Sequence, residues 1–271
     1  MHPWNIAHRG GAQLMPENTL PAFADALARG CDGVELDVQL TADGMAVVHH
    51  DDRLMAAVAR ENGIWLEQPG PRIGDLTWEA LQVFDIGTAR AGSAYALAHP
   101  LLKPSAAKVP RLEEVVDMAK GAGRRFLLFV ELKCAEGADP VLLADGAYDV
   151  IAAKDLLDDV IFVGFDWRAL VRIRARDPGA ACWFTTDKLS GDARAVIDII
   201  AAAGGEGWFP NFPDATPENI AYARAKGLKA GAWTVNRRED MQRLMELDAI
   251  CTDRPDLLNN VLGPHPSTGS G

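Results

Sequence analysis

Apolar and polar positions along this chain repeatedly change period. A short run, "WNIAH", is followed by "NTLPAFADALARG", in which Leu20, Phe23, Ala24 and Leu27 fall at i, i+3, i+4 and i+7. That spacing predicts an amphipathic helix with Asn18 as N-cap, Pro21 in the first turn and Gly30 closing it. Farther on, "RFLLFVELK", "DVIFVGF", "AACWFTT", "GWFP", "LKAGAWTV" and "AICTD" read as strands. Between them, "DPVLLADGAYDVIAAK", "DWRALVRIRAR", "DARAVIDIIAAAG", "TPENIAYARAKG" and "REDMQRLMELD" read as helices. Alternation this regular predicts an α/β fold with a parallel sheet, and the number of repeats favours a closed TIM-type (β/α)8 barrel over a doubly wound sheet. No GxGxxG follows a strand, so the doubly wound alternative has no fingerprint.

Two segments break the rhythm. "VELDVQL" (34–40) and "MAVVHH" (45–50) are separated only by "TADG", whereas a parallel crossover needs a dozen or more residues. They are therefore expected to form an antiparallel hairpin, which makes nine strand candidates against the eight that a barrel needs. A turn centred on Ala42 and Asp43 sets residue 40 opposite 45, 37 opposite 48 and 35 opposite 50. Glu35 would then face His50. Residues 51–110 are rich in Gly, Pro and Ala, with one helical stretch at Thr77 to Val83, and read as a small cap inserted over the barrel mouth. The domain reading is a single catalytic barrel over 1–263, with the insertion at about 51–110 and a flexible tail at 264–271.

Composition narrows the function. A net charge of −11 opposes binding to nucleic-acid backbones and anionic membrane surfaces. No apolar run is long enough to span a bilayer, and no signal peptide is apparent. The four cysteines form no CxxC and signal neither zinc site nor disulfide framework. A cytoplasmic protein acting on small molecules is the expectation.

The chemistry-bearing residues gather at strand ends. In "GVELDVQL", Glu35, Asp37 and Gln39 share one face of the strand. Paired carboxylates facing a barrel interior need a positive partner, and hard oxygen donors suit Mg²⁺, Ca²⁺ or Mn²⁺. The alternative is an outward polar face on an edge strand. "FVELKC" puts Glu131 and Lys133 on one face at the end of another strand, either completing a three-carboxylate site or forming an internal ion pair. His8 and His50 end their apolar runs where strand termini collect, and histidine exchanges protons near neutral pH. His49 points away from His50 and reads as structural, while His2, His99 and His265 carry no signal. Arg9, followed by Gly10 and Gly11, offers a planar donor fork to a phosphate oxygen. Trp233 reads as core or as an apolar substrate wall, Asn236 as turn chemistry, and "CTDRPD" as strand end, loop and helix start.

"AHRGG", "PENTLPAFADALARGCDGVELDVQLTADGMAVVHHDDRL", "DLTWEALQVFDIG", "VPRLEEVVDMA", "VELK", "AWTVN" and "TDRPDLL" together resemble the glycerophosphodiester phosphodiesterases, in order and over nearly the whole chain. The resemblance implies a TIM-type barrel that hydrolyses small glycerophosphodiesters to sn-glycerol 3-phosphate and an alcohol with one divalent metal ion, Mg²⁺ or Ca²⁺, Mn²⁺ being compatible. By that resemblance Glu35, Asp37 and Glu131 match metal ligands, and His8 and His50 match the acid/base pair. Arg9 and Lys133 match phosphate contacts, and Trp233 matches a residue that lines the glycerol pocket. Glu17 and Asn18 fall in "PENT" and read first as loop and helix start. Two positions depart from the pattern: no Arg-Thr-Thr follows Leu54, and Arg111 stands where Thr is usual. Two other readings fit the same barrel: a phospholipase D-like or phosphoinositide-type lipid phosphodiesterase, and a non-catalytic phosphodiester-binding protein.

Overall fold

Side-chain alternation along the strands builds two cores at once, one inside a barrel and one beneath its helices. The structure, a computed structural model, describes residues 2–263, so the expected tail at 264–271 lies outside the described residues. In chain order the strands are β1 (Trp4–Ala7), β2 (Gly33–Leu40), β3 (Ala46–Val48), β4 (Arg60–Glu61), β5 (Ile64–Trp65), β6 (Phe84–Asp85), β7 (Leu127–Leu132), β8 (Val160–Gly164), β9 (Ala181–Thr186), β10 (Gly207–Pro210), β11 (Lys229–Ala232) and β12 (Ala249–Thr252). The helices are α1 (Leu20–Ala28), α2 (Trp78–Leu81), α3 (Ala94–Ala98), α4 (Leu112–Lys120), α5 (Pro140–Ala152), α6 (Trp167–Arg176), α7 (Ala193–Ala202), α8 (Pro217–Ala225), α9 (Arg238–Arg243) and α10 (Pro255–Leu262).

β1, β2 and β7 to β12 are parallel neighbours in that order, and β12 returns to β1 with Trp4 beside Ala249 and Ala7 beside Thr252. The barrel is closed with eight staves, and β3 is the extra, antiparallel strand on β2. Inside it, Ile6, Phe129, Ile161, Trp183 and Phe209 fill the lower layers. Trp183 meets Phe129 edge-on at 5.3 Å. Glycine at 207 makes room for that ring, because a Cβ there would lie 2.6 Å from it. The alternate positions, including Leu36, Val38, Val130, Phe162 and Phe184, pack outward beneath the helices. With the lower barrel filled by apolar rings, polar inward positions remain at the C-terminal strand ends, where barrel active sites form.

The hairpin register differs from the expected one by a residue. Leu40 pairs with Ala46, Gln39 with Val47 and Val38 with Val48. The loop holds three residues rather than two: the Thr41 amide donates to the Met45 carbonyl at 3.0 Å, and Gly44 takes φ +76°. Thr41 Oγ1 also accepts from the Met45 amide at 2.9 Å. His49 thus falls opposite Asp37, donating its amide to the Asp37 carbonyl at 2.8 Å. β3 ends at Val48, so His50 lies beyond the strand and not across from Glu35. The start of α1 differs as well. Its N-cap is Thr19, whose hydroxyl accepts from the Ala22 amide at 3.3 Å, and Asn18 sits one residue outside at φ +56°.

Residues 51–110 hold more structure than their composition implied. The helical stretch expected at Thr77 to Val83 is the shorter α2, with Thr77 as its cap, and α3 and an antiparallel sheet of β5, β4 and β6 are present too. Leu54, Ile73, Leu81, Phe84 and Val109 of this segment form an apolar cluster that closes on Val47 of β3. α4 follows with Arg111 as N-cap residue, where the Glu114 carboxylate accepts from the Arg111 amide at 2.9 Å. All four cysteines are free. Among the described residues, no helix is long and apolar enough to cross a membrane.

Candidate active site

β2 lies between β1 and β7 rather than at an edge, and its inward positions carry charge. Glu35 is 2% exposed and Asp37 1%, which excludes the outward polar face. Glu131 stands beside Asp37 at the end of β7, and one oxygen from each of the three carboxylates lies within 4.8 Å of the others. Burial pushes the Glu35 carboxyl well above the ordinary range, and Asp37 and Glu131 push it further. Burial presses on Asp37 in the same direction, but Arg9, His50 and Lys133 outweigh it and hold that carboxyl below its usual range. The cluster therefore has a deficit of positive charge centred on Glu35. A divalent cation fits this arrangement: three hard oxygen donors, mostly dry, from two rigid neighbouring strands.

The cations around the cluster are placed by turns and strand ends. After β1, Arg9, Gly10 and Gly11 all take positive φ (51°, 85° and 98°). A Cβ on Gly10 would sit 2.6 Å from that of Ala22, so the turn packs against α1 only with glycine there. The turn aims the Arg9 amide at Glu35 Oε2 (3.1 Å) and its guanidinium at Asp37 (3.4 Å) and Glu17 (3.0 Å). Burial opposes charge on that guanidinium, yet Asp37, Glu17 and Glu35 raise its pKa further. Lys133 Nζ reaches Glu131 at 2.9 Å and Asp37 at 3.5 Å. The internal ion pair is thus real, and it is part of the cluster rather than an alternative to it. Asn18 donates its amide to Asp37 Oδ2 at 2.8 Å and accepts from the Asp37 backbone amide at 3.2 Å.

Each of the two histidines has a carboxylate behind it. His8 Nδ1 lies 2.6 Å from Asp253 Oδ1, and its Nε2 faces Glu35 Oε2 at 3.8 Å. An ionised carboxylate only accepts, so Nδ1 carries a proton and Nε2 is the nitrogen turned toward the cluster. Burial acts to raise Asp253, but His8 and Asn236 outweigh it and hold the carboxylate ionised. Asn236 is therefore more than turn chemistry: it donates to Asp253 Oδ2 at 2.6 Å and accepts from the Asp253 amide at 2.9 Å. His50 Nδ1 meets Asp51 Oδ1 at 2.7 Å. Gln39 fixes the His50 loop, donating to the carbonyls of His49 (2.7 Å), His50 (3.2 Å) and Asp51 (2.8 Å). On the far side, Trp233 crosses Phe165 edge-on at 5.3 Å, and Lys133 Nζ lies 5.8 Å from the Phe165 ring centre, which makes an apolar wall beside the cations.

Sequence reasoning placed eight residues here and passed over Asp253, Asn236, Asn18 and Phe165. For two of these a signal was available: Ala249 and Cys251 point into the barrel, as do Ile161 and Val163, so the next inward positions are Asp253 and Phe165.

The comparisons with known proteins bear on this site. The family model described as the glycerophosphoryl diester phosphodiesterase family matches residues 8–257. The chain belongs to that family. A crystal structure from Silicibacter pomeroyi DSS-3, named for the same family, superposes with a TM-score of 0.89 at 31% identity, covering 95% of this chain and 92% of that one. A glycerophosphodiester phosphodiesterase of Caldanaerobacter subterraneus subsp. tengcongensis is 28% identical over 271 residues, 95% of this chain and 96% of its own. An Oleispira antarctica phosphodiesterase, solved with the product sn-glycerol-3-phosphate, superposes with a TM-score of 0.77 at 25% identity, over 96% of this chain and 97% of that one. As a glycerophosphodiester phosphodiesterase, the chain is an enzyme built on the TIM barrel.

Proposed function

We propose that this glycerophosphodiester phosphodiesterase hydrolyses small glycerophosphodiesters to sn-glycerol 3-phosphate and an alcohol, with one divalent cation, Mg²⁺ or Ca²⁺, held by Glu35, Asp37 and Glu131. The observation that carries the reading is the convergence of three carboxylates, two carboxylate-backed histidines and two cations at one barrel mouth. A bound cation supplies Lewis-acid polarisation of the phosphoryl group. Arg9 and Lys133 bind the phosphate oxygens and offset the charge that develops on them. His8 and His50 form the acid/base pair: one removes a proton from the nucleophile, which is water in the step that yields sn-glycerol 3-phosphate, and the other delivers a proton to the leaving alkoxide. His8 acts at Nε2, because Asp253 holds the opposite nitrogen protonated. Phe165 and Trp233 exclude water along one side and receive the glycerol carbons. The insertion acts as a cap whose edge reaches Glu17 through Tyr95.

The test is release of sn-glycerol 3-phosphate from glycerophosphocholine and glycerophosphoethanolamine, and of lysophosphatidate from lysophospholipid micelles, with and without EDTA. Release from the soluble diesters that stops in EDTA supports the proposal. Activity confined to micelles would favour a lipid phosphodiesterase, and no release with any metal a binding protein.

A further inference from the structure

We propose that Tyr95, on helix α3 of the insertion, is a positioning residue for the phosphate clamp: its hydroxyl holds Glu17, and Glu17 holds Arg9. The inference rests on the reading of Arg9 as a phosphate contact and extends it to a residue outside the barrel.

Tyr95 Oη donates to Glu17 Oε2 at 3.1 Å, and Arg9 Nη1 donates to Glu17 Oε1 at 3.0 Å, so the two carboxylate oxygens are used separately. The Arg9 guanidinium lies between two attractions. On one side is Asp37, 3.4 Å from Nε, and yet Nε is buried without a hydrogen-bond partner. On the other side is Glu17. Nη2 makes no hydrogen bond among the described residues and is left for an incoming anion. Without Glu17, the fork would turn further toward Asp37 and tighten the ion pair already made there, spending the donors that a phosphate needs.

The tyrosine is itself held. Its ring stacks on His99 with centroids 4.1 Å apart, and its carbonyl accepts from His99 Nδ1 at 2.8 Å. The insertion is tied to the same turn region by the Lys103 amide, which donates to the Leu14 carbonyl at 2.9 Å. Tyr95 and Glu17 line a cavity of about 10 Å³ with His49, Met55, Val58 and Ile86, room for about one water. In these largely apolar surroundings the hydroxyl–carboxylate bond is stronger than it would be in water. Burial and Glu17 both push the Tyr95 hydroxyl up, which keeps it a donor.

The experiment is calorimetric titration of sn-glycerol 3-phosphate into the metal-loaded wild-type enzyme, Tyr95→Phe, Glu17→Ala, their double variant and Arg9→Lys, with melting temperatures recorded. Tyr95→Phe is expected to weaken binding about fivefold, the part of one charge-assisted hydrogen bond that reaches Arg9, with its melting temperature unchanged. Glu17→Ala weakens it at least as much, and the double variant is no weaker than Glu17→Ala alone. Should Tyr95→Phe soften the fold, Glu17→Ala, which leaves the ring and its helix intact, carries the test. Wild-type affinity in Tyr95→Phe beside a tenfold loss in Arg9→Lys overturns the relay alone. A Tyr95→Phe effect that persists undiminished in the Glu17→Ala background also overturns it. Wild-type affinity in Arg9→Lys removes the Arg9 reading and the relay with it.

Discussion

Replacing Asp253 with Asn changes one oxygen to an amide and leaves the volume alone. Asp253 now accepts from His8 Nδ1 on Oδ1 and from Asn236 Nδ2 on Oδ2, at 2.6 Å each. An asparagine has a single acceptor, so one of these contacts must face an NH₂ group. If the acceptor stays on His8, the hydrogen bond survives without its charge. If it turns to Asn236, Nδ1 faces an NH₂ group and its proton has no acceptor. The lower bound on the loss is the difference between a charged and a neutral hydrogen bond to an imidazolium, about 2 kcal/mol. The upper bound is the attraction between unit charges with centres about 4 Å apart at an effective dielectric of about 20, about 4 kcal/mol. The corresponding fall in kcat is roughly 30- to 900-fold. The assay is steady-state hydrolysis of glycerophosphocholine across pH, with bound metal quantified in both proteins. Expected is a fall in kcat within that range with metal content unchanged. Near-wild-type kcat would refute the reasoning.

His8→Ala and His50→Ala should each lower turnover by roughly 100-fold or more while binding divalent metal normally, as read by activity beside metal titration. Glu35→Gln should abolish tight metal binding yet leave the EDTA-treated protein more stable above about pH 5. The reason is that burial and its neighbours raise the Glu35 carboxyl on folding, so its contribution is present at low pH and is lost as pH climbs from the unfolded value through the raised folded one. Urea midpoints at pH 4 and pH 7.5 check this: the wild-type midpoint should fall relative to that of the variant as pH rises. Asn18→Gly keeps the left-handed backbone but removes both bonds to Asp37, and should cost about 1 to 3 kcal/mol in denaturant unfolding along with weaker metal binding.

Much of the architecture was legible because strand periodicity and helix spacing are local properties of the chain. The barrel and the shared face of Glu35 and Asp37 follow from them, and the hairpin from its four-residue spacer; that the face points inward was settled only by the place of β2 between β1 and β7. The hairpin register was not legible, because it turned on one hydrogen bond: Thr41 closes a three-residue loop, and a one-residue difference moves His50 off the strand. Asn18 was misread for a related reason. Its side chain suits a helix cap, but Thr19 takes that place, and the asparagine instead reaches across to Asp37, 19 residues away. Asp253 is 245 residues from His8 in sequence, and only barrel closure through β12 and β1 joins them. Inward alternation along "AICTD" pointed to its direction, though not to its partner. Tyr95 lay in a segment with no clear periodicity, where sequence offers little beyond composition.

Metal-dependent hydrolysis at the proposed Glu35, Asp37 and Glu131 cluster can be followed by phosphorus NMR of glycerophosphocholine with EDTA-stripped enzyme, before and after Mg²⁺, Ca²⁺ or Mn²⁺ is restored. No conversion is expected without metal, sn-glycerol 3-phosphate on restoration, and no recovery in Glu35→Gln; undiminished turnover by the stripped enzyme, or full recovery by Glu35→Gln, would rule the metal site out.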